Sequence, residues 1–309
     1  MRHSFSSDIL TNVDFDSFID ISIPLNFHGP QPNVYGVAPA ISKPCEASSL
    51  VGDTRRGGSC NFEQYTFIPH CNGTHTEGAG HITHERISIR DCLRDVFIPA
   101  VLISIEPVKT SETDEKYVVE ADANDYLITR KTLVAAFERL NLVDASEPYE
   151  VRECLAQPAG ISTASNVRLQ PPATAGGSYS ALVVRTFPND ESKLTRQYGM
   201  AKLSLPYISP FFSTEAIEYI VELGVKHLLV DLPSVDRLYD EGKLSNHRIF
   251  WNIEQGSFET NPFTRINNTI TELIYVPNKI KDGNYLLNLQ IAPFATDASP
   301  SRPILFKLT

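Results

Sequence analysis

The chain has 309 residues, 42% of them hydrophobic and 21% charged, a size and make-up that suit one large soluble domain. Its 27 Lys and Arg against 37 Asp and Glu leave a formal charge of -10, with no basic stripe. That balance argues against nucleic acid or an anionic membrane as partner.

The opening residues lack the apolar run of a signal peptide, and no stretch reaches the length of a membrane span, so a cytoplasmic protein is expected. Five cysteines, an odd and scattered set (Cys45, Cys60, Cys71, Cys92, Cys154), argue against a disulfide framework and for reduced thiols.

In chain order, FIDISIPLNF (18–27) alternates in strand fashion, and HGPQPNVYG (28–36) follows with loop punctuation. IPAVLISIEP (98–107) and SYSALVVRTF (178–187) read as buried strands. Between them TRKTLVAAFERLNL (129–142) has helical spacing, with Thr129 placed to cap the first turn. A second helix begins at Ser213 or Thr214, turns Ile217, Ile220 and Val221 to the core, and stops at Gly224. The strand after it sets Asp231, Ser234 and Asp236 at its C-terminal end, where α/β proteins commonly bind ligands. TELIYVP, GNYLLNLQIAPF and RPILFKL read as three further strands. The expected fold class is therefore α/β, a single domain with a mixed sheet that has an antiparallel component, rather than a pure βαβ winding.

The densest chemistry lies in HCNGTHTEGAGH (70–81). On an extended segment His75 and Glu77 leave the same face and can meet one ion. Cys71 and His81 then approach it from either side. The glycines at 73, 78 and 80 suit close approach of the backbone. Imidazole, carboxylate and thiolate together suit zinc, or manganese or iron if the thiol is no ligand. Spacing leaves two alternatives open: a closed structural zinc made by Cys71, His75, His81 and His84, and an inert buried Cys71 whose neighbour His70 looks outward or ligates instead.

Residues 71–81, Cys-Asn-Gly-Thr-His-Thr-Glu-Gly-Ala-Gly-His, resemble the signature His-x-Gly-Thr-His-x-Asp-x-Pro-x-His of the metal-dependent cyclase/hydrolase family, which includes bacterial kynurenine formamidase and isatin hydrolase. IDISIPL, ALVVRTF and LGVKHLLVDLPSVD are similar to that family's opening strand, central strand and Gly-Val…Asp-x-x-Ser-x-Asp element. His247 in SNHRIF and Glu272 in ITELIYVP follow in family order. The resemblance implies a swivelling β/β/α-like domain over residues 18–309, preceded by an N-terminal extension, 1–17. It makes Cys71, His75 and Glu77 metal ligands, with Glu77 at the bridging position, and it adds His247 and Glu272 to the shell of one or two ions, Zn or Mn. His81 becomes the general acid/base. Cys replaces the first His, Glu replaces Asp, and a longer spacer leaves Glu254 as an alternative to Glu272.

The implied activity is hydrolysis of a C–N bond in a small amide, formamide or cyclic amide by a metal-activated water, as in an arylformamidase. The alternatives are a metal-dependent cyclase or lyase, and a non-catalytic protein with a structural metal. The loop NFHGPQPNVYG offers Phe27 and Tyr35 to stack a small-molecule substrate and Gln31 and Asn33 to hydrogen-bond it, or else packs on a second subunit of a homo-oligomer.

Overall fold

The two β-branched runs near residues 100 and 183 lie side by side at the centre of a nine-stranded sheet. The computed structural model describes residues 13–141, 179–199 and 209–308. In chain order the strands of this sheet are β1 (Val13–Asp20), β2 (His75–Glu77), β3 (Phe97–Ile105), β4 (Ala181–Thr186), β5 (His227–Val230), β6 (Thr269–Glu272), β7 (Gly283–Asn288), β8 (Ala298–Pro300) and β9 (Ile304–Leu308). Their spatial order is β1-β9-β7-β3-β4-β5-β6-β2-β8. β3, β4, β5 and β6 run parallel, and the strands on both flanks pair antiparallel.

The parallel centre is covered on both sides, which is why its strands read as unbroken apolar runs. On one face Val101, Ile103, Leu182, Val184, Leu228 and Val230 meet the helices α2 (Arg130–Arg139) and α3 (Thr214–Glu222). On the other, Leu102, Val183 and Leu229 pack with Ile21, Ile274, Leu287 and Leu305. The one-turn helix α1 (Pro69–Asn72) precedes β2, and α4 (Ser245–Trp251) lies between β5 and β6. Thr129 caps α2 by accepting from the Thr132 amide, and Ser213, not Thr214, caps α3 through the Ala216 amide. Gly224, at φ +74°, closes α3 and releases the chain into β5.

Three details depart from the sequence reading. β1 starts at Val13, inside the stretch assigned to an extension, and pairs with β9 from its first residue. The strand expected at 271–277 begins earlier and stops at Glu272, because Leu273 takes a left-handed φ of +55°. β8, three residues of Ala-Ser-Pro, carries no apolar alternation that would announce it. Cys45, Cys60, Cys71 and Cys92 are free thiols, and Cys154 lies outside the described residues. Among the described residues no helix is long and apolar enough to cross a membrane.

Candidate metal centre

β2 is extended, so His75 and Glu77 project from one face. Antiparallel pairing with β6 sets Glu272 directly opposite His75. The His75 Nδ1 lies 3.0 Å from the Gly73 carbonyl oxygen, which only accepts, so the proton sits on Nδ1. That leaves Nε2 bare, 3.6 Å from Glu272 Oε2 and 3.9 Å from Glu77 Oε2. Both His75 Nε2 and Glu77 Oε2 are buried without a hydrogen-bond partner.

The other Glu77 oxygen, Oε1, lies 2.8 Å from Nε2 of His247, a buried residue of α4. His247 is oriented from behind by Asp236, whose Oδ2 meets Nδ1. Asp236 also accepts from the Asn246 amide at 2.8 Å and the Tyr117 hydroxyl at 2.6 Å. Glu272 Oε1 accepts from the Val235 amide at 2.9 Å. The loop carrying Val235 and Asp236 at the end of β5 therefore supports both downstream residues.

A second set shares Glu77. His70 Nδ1 lies 2.9 Å from Glu77 Oε2, and His81 Nε2 lies 3.8 Å from the same oxygen. The His70 and His81 rings stack with centroids 4.3 Å apart. Asp297, just before β8, joins them: its Oδ2 is 2.9 Å from His70 Nε2 and 3.4 Å from His81 Nδ1.

The electrostatics follow from burial and from these pairings. Burial, together with the charge of Glu77, pushes the Glu272 carboxyl up to about 8. Burial works against ionised Glu77 as well, but the imidazoles of His81, His247 and His70 hold it well below the carboxylate range. Burial lowers His75 to about 4, which keeps it neutral. His70 rises to about 10, because pairing with the carboxylates of Asp297 and Glu77 outweighs its burial.

The donor atoms of His75, Glu77 and Glu272 lie within 4.8 Å of one another, as do those of His70, Glu77 and His81. Bare imidazole nitrogen and carboxylate oxygen, buried and facing each other, suit a divalent cation with bonds of about 2.0–2.2 Å. Two ionised carboxylates at this depth repel, so one keeps its proton unless a cation lies between them.

A putative cyclase family profile matches residues 19–237. The chain belongs to the putative cyclase family. The family fold is also seen in isatin hydrolase A from Labrenzia aggregata bound to benzyl benzoate, with 13% identity, 95% of this chain and 94% of that one covered, and a TM-score of 0.54. A crystal structure of a novel cyclase superposes with a TM-score of 0.56 at 12% identity, covering 97% of this chain and 89% of that one. A potential metal-dependent hydrolase with cyclase activity gives 0.52 at 13% identity, over 95% and 98%. No curated protein matches the chain significantly.

In this putative cyclase family member His75, Glu77, His247 and Glu272 lie close to one another, and His81 stands at their rim. Glu254 is exposed and outside both groups, so Glu272 is the carboxylate beside His75. His84 is exposed and stacks on Phe258, so the four-residue set Cys71, His75, His81 and His84 is not assembled. Cys71 packs among Ile23, Val34, Tyr198 and Leu273, and burial raises its thiol. His70, not Cys71, belongs to a donor group.

Gly80 has a different reason from the one expected. A Cβ on Gly80 would stand 2.3 Å from the Ile87 carbonyl oxygen, so this glycine serves loop packing rather than approach to an ion. In the N-terminal loop, Gln31 spends its amide on the backbone of Asn26 and Ala40. Asn33 donates to the Val37 carbonyl. Phe27 packs against Tyr65 and Phe67. Tyr35 keeps an exposed ring beside Tyr239 and donates to the Leu238 carbonyl. Burial, with the charges of Glu272 and Asp240, raises its hydroxyl.

Sequence reasoning missed Asp297. A single Asp in FATDASP has no spacing relation to the histidines it serves, so only the β2–β8 pairing reveals it. Asp231, by contrast, is structural: it accepts from Thr186 and from buried Lys193, tying β4 to β5.

Proposed function

We propose that this protein is a metal-dependent hydrolase of a C–N bond in a small amide, formamide or cyclic amide. The observation that carries this reading is the pair of bare, buried atoms, His75 Nε2 and Glu77 Oε2, facing Glu272 beside a partly exposed imidazole, His81. His75, Glu77, Glu272 and His247 would hold the cation, with one further donor from α1. When bound, it supplies a water acidified from 15.7 to about 7 and polarises a carbonyl oxygen.

This chain's residues do the rest. Asp236 fixes the His247 ring, and the Val235 amide fixes Glu272. His81 has its Nδ1 facing Asp297, and its Nε2 is too far from Glu77 for a hydrogen bond. That nitrogen is placed to take a proton from water and return it to a leaving nitrogen, a contribution of about 10² to 10⁴ in rate. Tyr35, with its exposed ring, forms one wall for a planar substrate. We place the protein in the cytoplasm as a homo-oligomer. The arm pairing Ile41–Pro44 with Glu63–Thr66 supports the oligomer, because Ile41, Leu50 and Tyr65 stand exposed on and beside it.

The test is a panel of formamides, lactams, cyclic imides and esters given to zinc- or manganese-loaded protein, with products followed by mass. Uptake of one water with C–N cleavage supports the reading. Products isomeric with substrate, or formed by loss of water, would instead assign a cyclase or lyase to the same site.

A further inference from the structure

We propose that the metal shell of this chain contains only nitrogen and oxygen donors, with His70 supplying the ligand that the Cys71 position holds in the motif and Asp297 acting as the positioning residue for it. The inference rests on the reading of this site as a cation site and names the ligand that reading left open.

α1 is a single turn opened by Pro69, and consecutive residues of a turn point in different directions. Cys71 turns inward, to Ile23, Val34, Tyr198 and Leu273, where a neutral thiol packs as a small apolar group. His70 turns toward Glu77, with Nδ1 2.9 Å from Oε2, the oxygen that has no hydrogen-bond partner. Its ring also lies 5.0 Å, centroid to centroid, from that of His75.

The other ring nitrogen is already engaged. Nε2 faces Asp297 Oδ2 at 2.9 Å, and a carboxylate there holds the proton on Nε2 and leaves Nδ1 to serve as the donor atom. Carboxylate, imidazole and cation in series is the arrangement by which proteins orient a ligating histidine. His75 has the same provision from the Gly73 carbonyl, and His247 from Asp236. All three imidazoles are therefore oriented from behind, whereas Cys71 packs in a cluster with Ile23, Val34, Tyr198 and Leu273.

The experiment is cobalt(II) titration of the full chain, read by absorption and calorimetry, with His70→Ala, Cys71→Ser and Asp297→Asn beside the parent. The expected parent spectrum has ligand-field bands and no sulfur-to-cobalt charge-transfer band in the near ultraviolet. Cys71→Ser should bind cobalt within about twofold of the parent. His70→Ala should lose at least tenfold in affinity, and Asp297→Asn about 10- to 100-fold. A charge-transfer band that disappears in Cys71→Ser, with affinity kept in His70→Ala, overturns the assignment of His70 but leaves the cation site standing. Failure of the folded parent to bind cobalt or zinc overturns both. The parent spectrum alone decides for or against the Cys71 thiolate, whatever the folding of the variants, and affinity kept in a folded His70→Ala with no such band overturns His70 as the ligand.

Discussion

Glu272 faces His75 as its register partner across the antiparallel pair of β6 and β2, with Oε2 3.6 Å from the bare Nε2. The same carboxylate is disfavoured in its charged form by burial and by Glu77. Glu272→Gln should therefore act in two directions. Cation affinity should fall at least tenfold, while the metal-free variant melts above the parent at about pH 9, because the amide stays neutral where the parent's carboxyl ionises beside Glu77. Calorimetric titration and thermal melts in chelator check both halves.

The metal-free protein should lose stability as pH rises. Glu272 is raised from 4.5 to about 8, so its contribution is present below 4.5 and is lost as pH climbs through 8. His70, raised from 6.5 to about 10, adds a loss of the same sign at higher pH. Melting temperature in chelator should fall between about pH 6.5 and 9, and saturating zinc should flatten the slope. A metal-free melt that rises over that range would contradict these assignments.

Cation binding should release protons at neutral pH. In the metal-free protein His70 and Glu272 still hold theirs at pH 7, and a ligand must give up its proton to bind. His75, lowered to about 4, has none to give. Titrations in two buffers of different ionisation heat should show at least one proton released per cation.

Asp236→Asn should weaken the cation about 10- to 100-fold without touching it, since the amide no longer balances the His247 ring. Because Asp236 also receives the Asn246 amide and the Tyr117 hydroxyl, the variant should lose about 1–3 kcal/mol of stability as well. Urea melts separate that loss from the change in affinity.

His81→Ala should lower turnover by about 10² to 10⁴ and leave zinc content unchanged. Loss of zinc in this variant would move His81 from proton carrier to ligand, as its place beside His70 and Glu77 permits.

The features legible beforehand were those carried by strong local patterns. The runs that became β3, β4 and β5 are apolar because both of their faces are covered, and Thr129, Ser213 and Gly224 mark helix ends by local hydrogen bonds and φ alone. His75 and Glu77 could be paired because strand periodicity is short-range. The rest depended on contacts distant in sequence. Whether His70 or Cys71 faces the site is set by the direction of a one-turn helix. The loss of Gln31 as a free hydrogen-bonding group is set by the fold of its own loop, and Asp297 arrives just ahead of a strand with no pattern of its own.

β6, β2 and β8 form one margin of the sheet, and its two outermost strands are only three residues long. Glu272, His75 with Glu77, and Asp297 come from these three strands or the residue just before one of them. An ion at their meeting point would work as a rivet through the layers of a seam. Chelation should therefore let amide deuteration enter from this margin, reaching β8 and β2 well before β4, so that the centre stays sealed while the border frays.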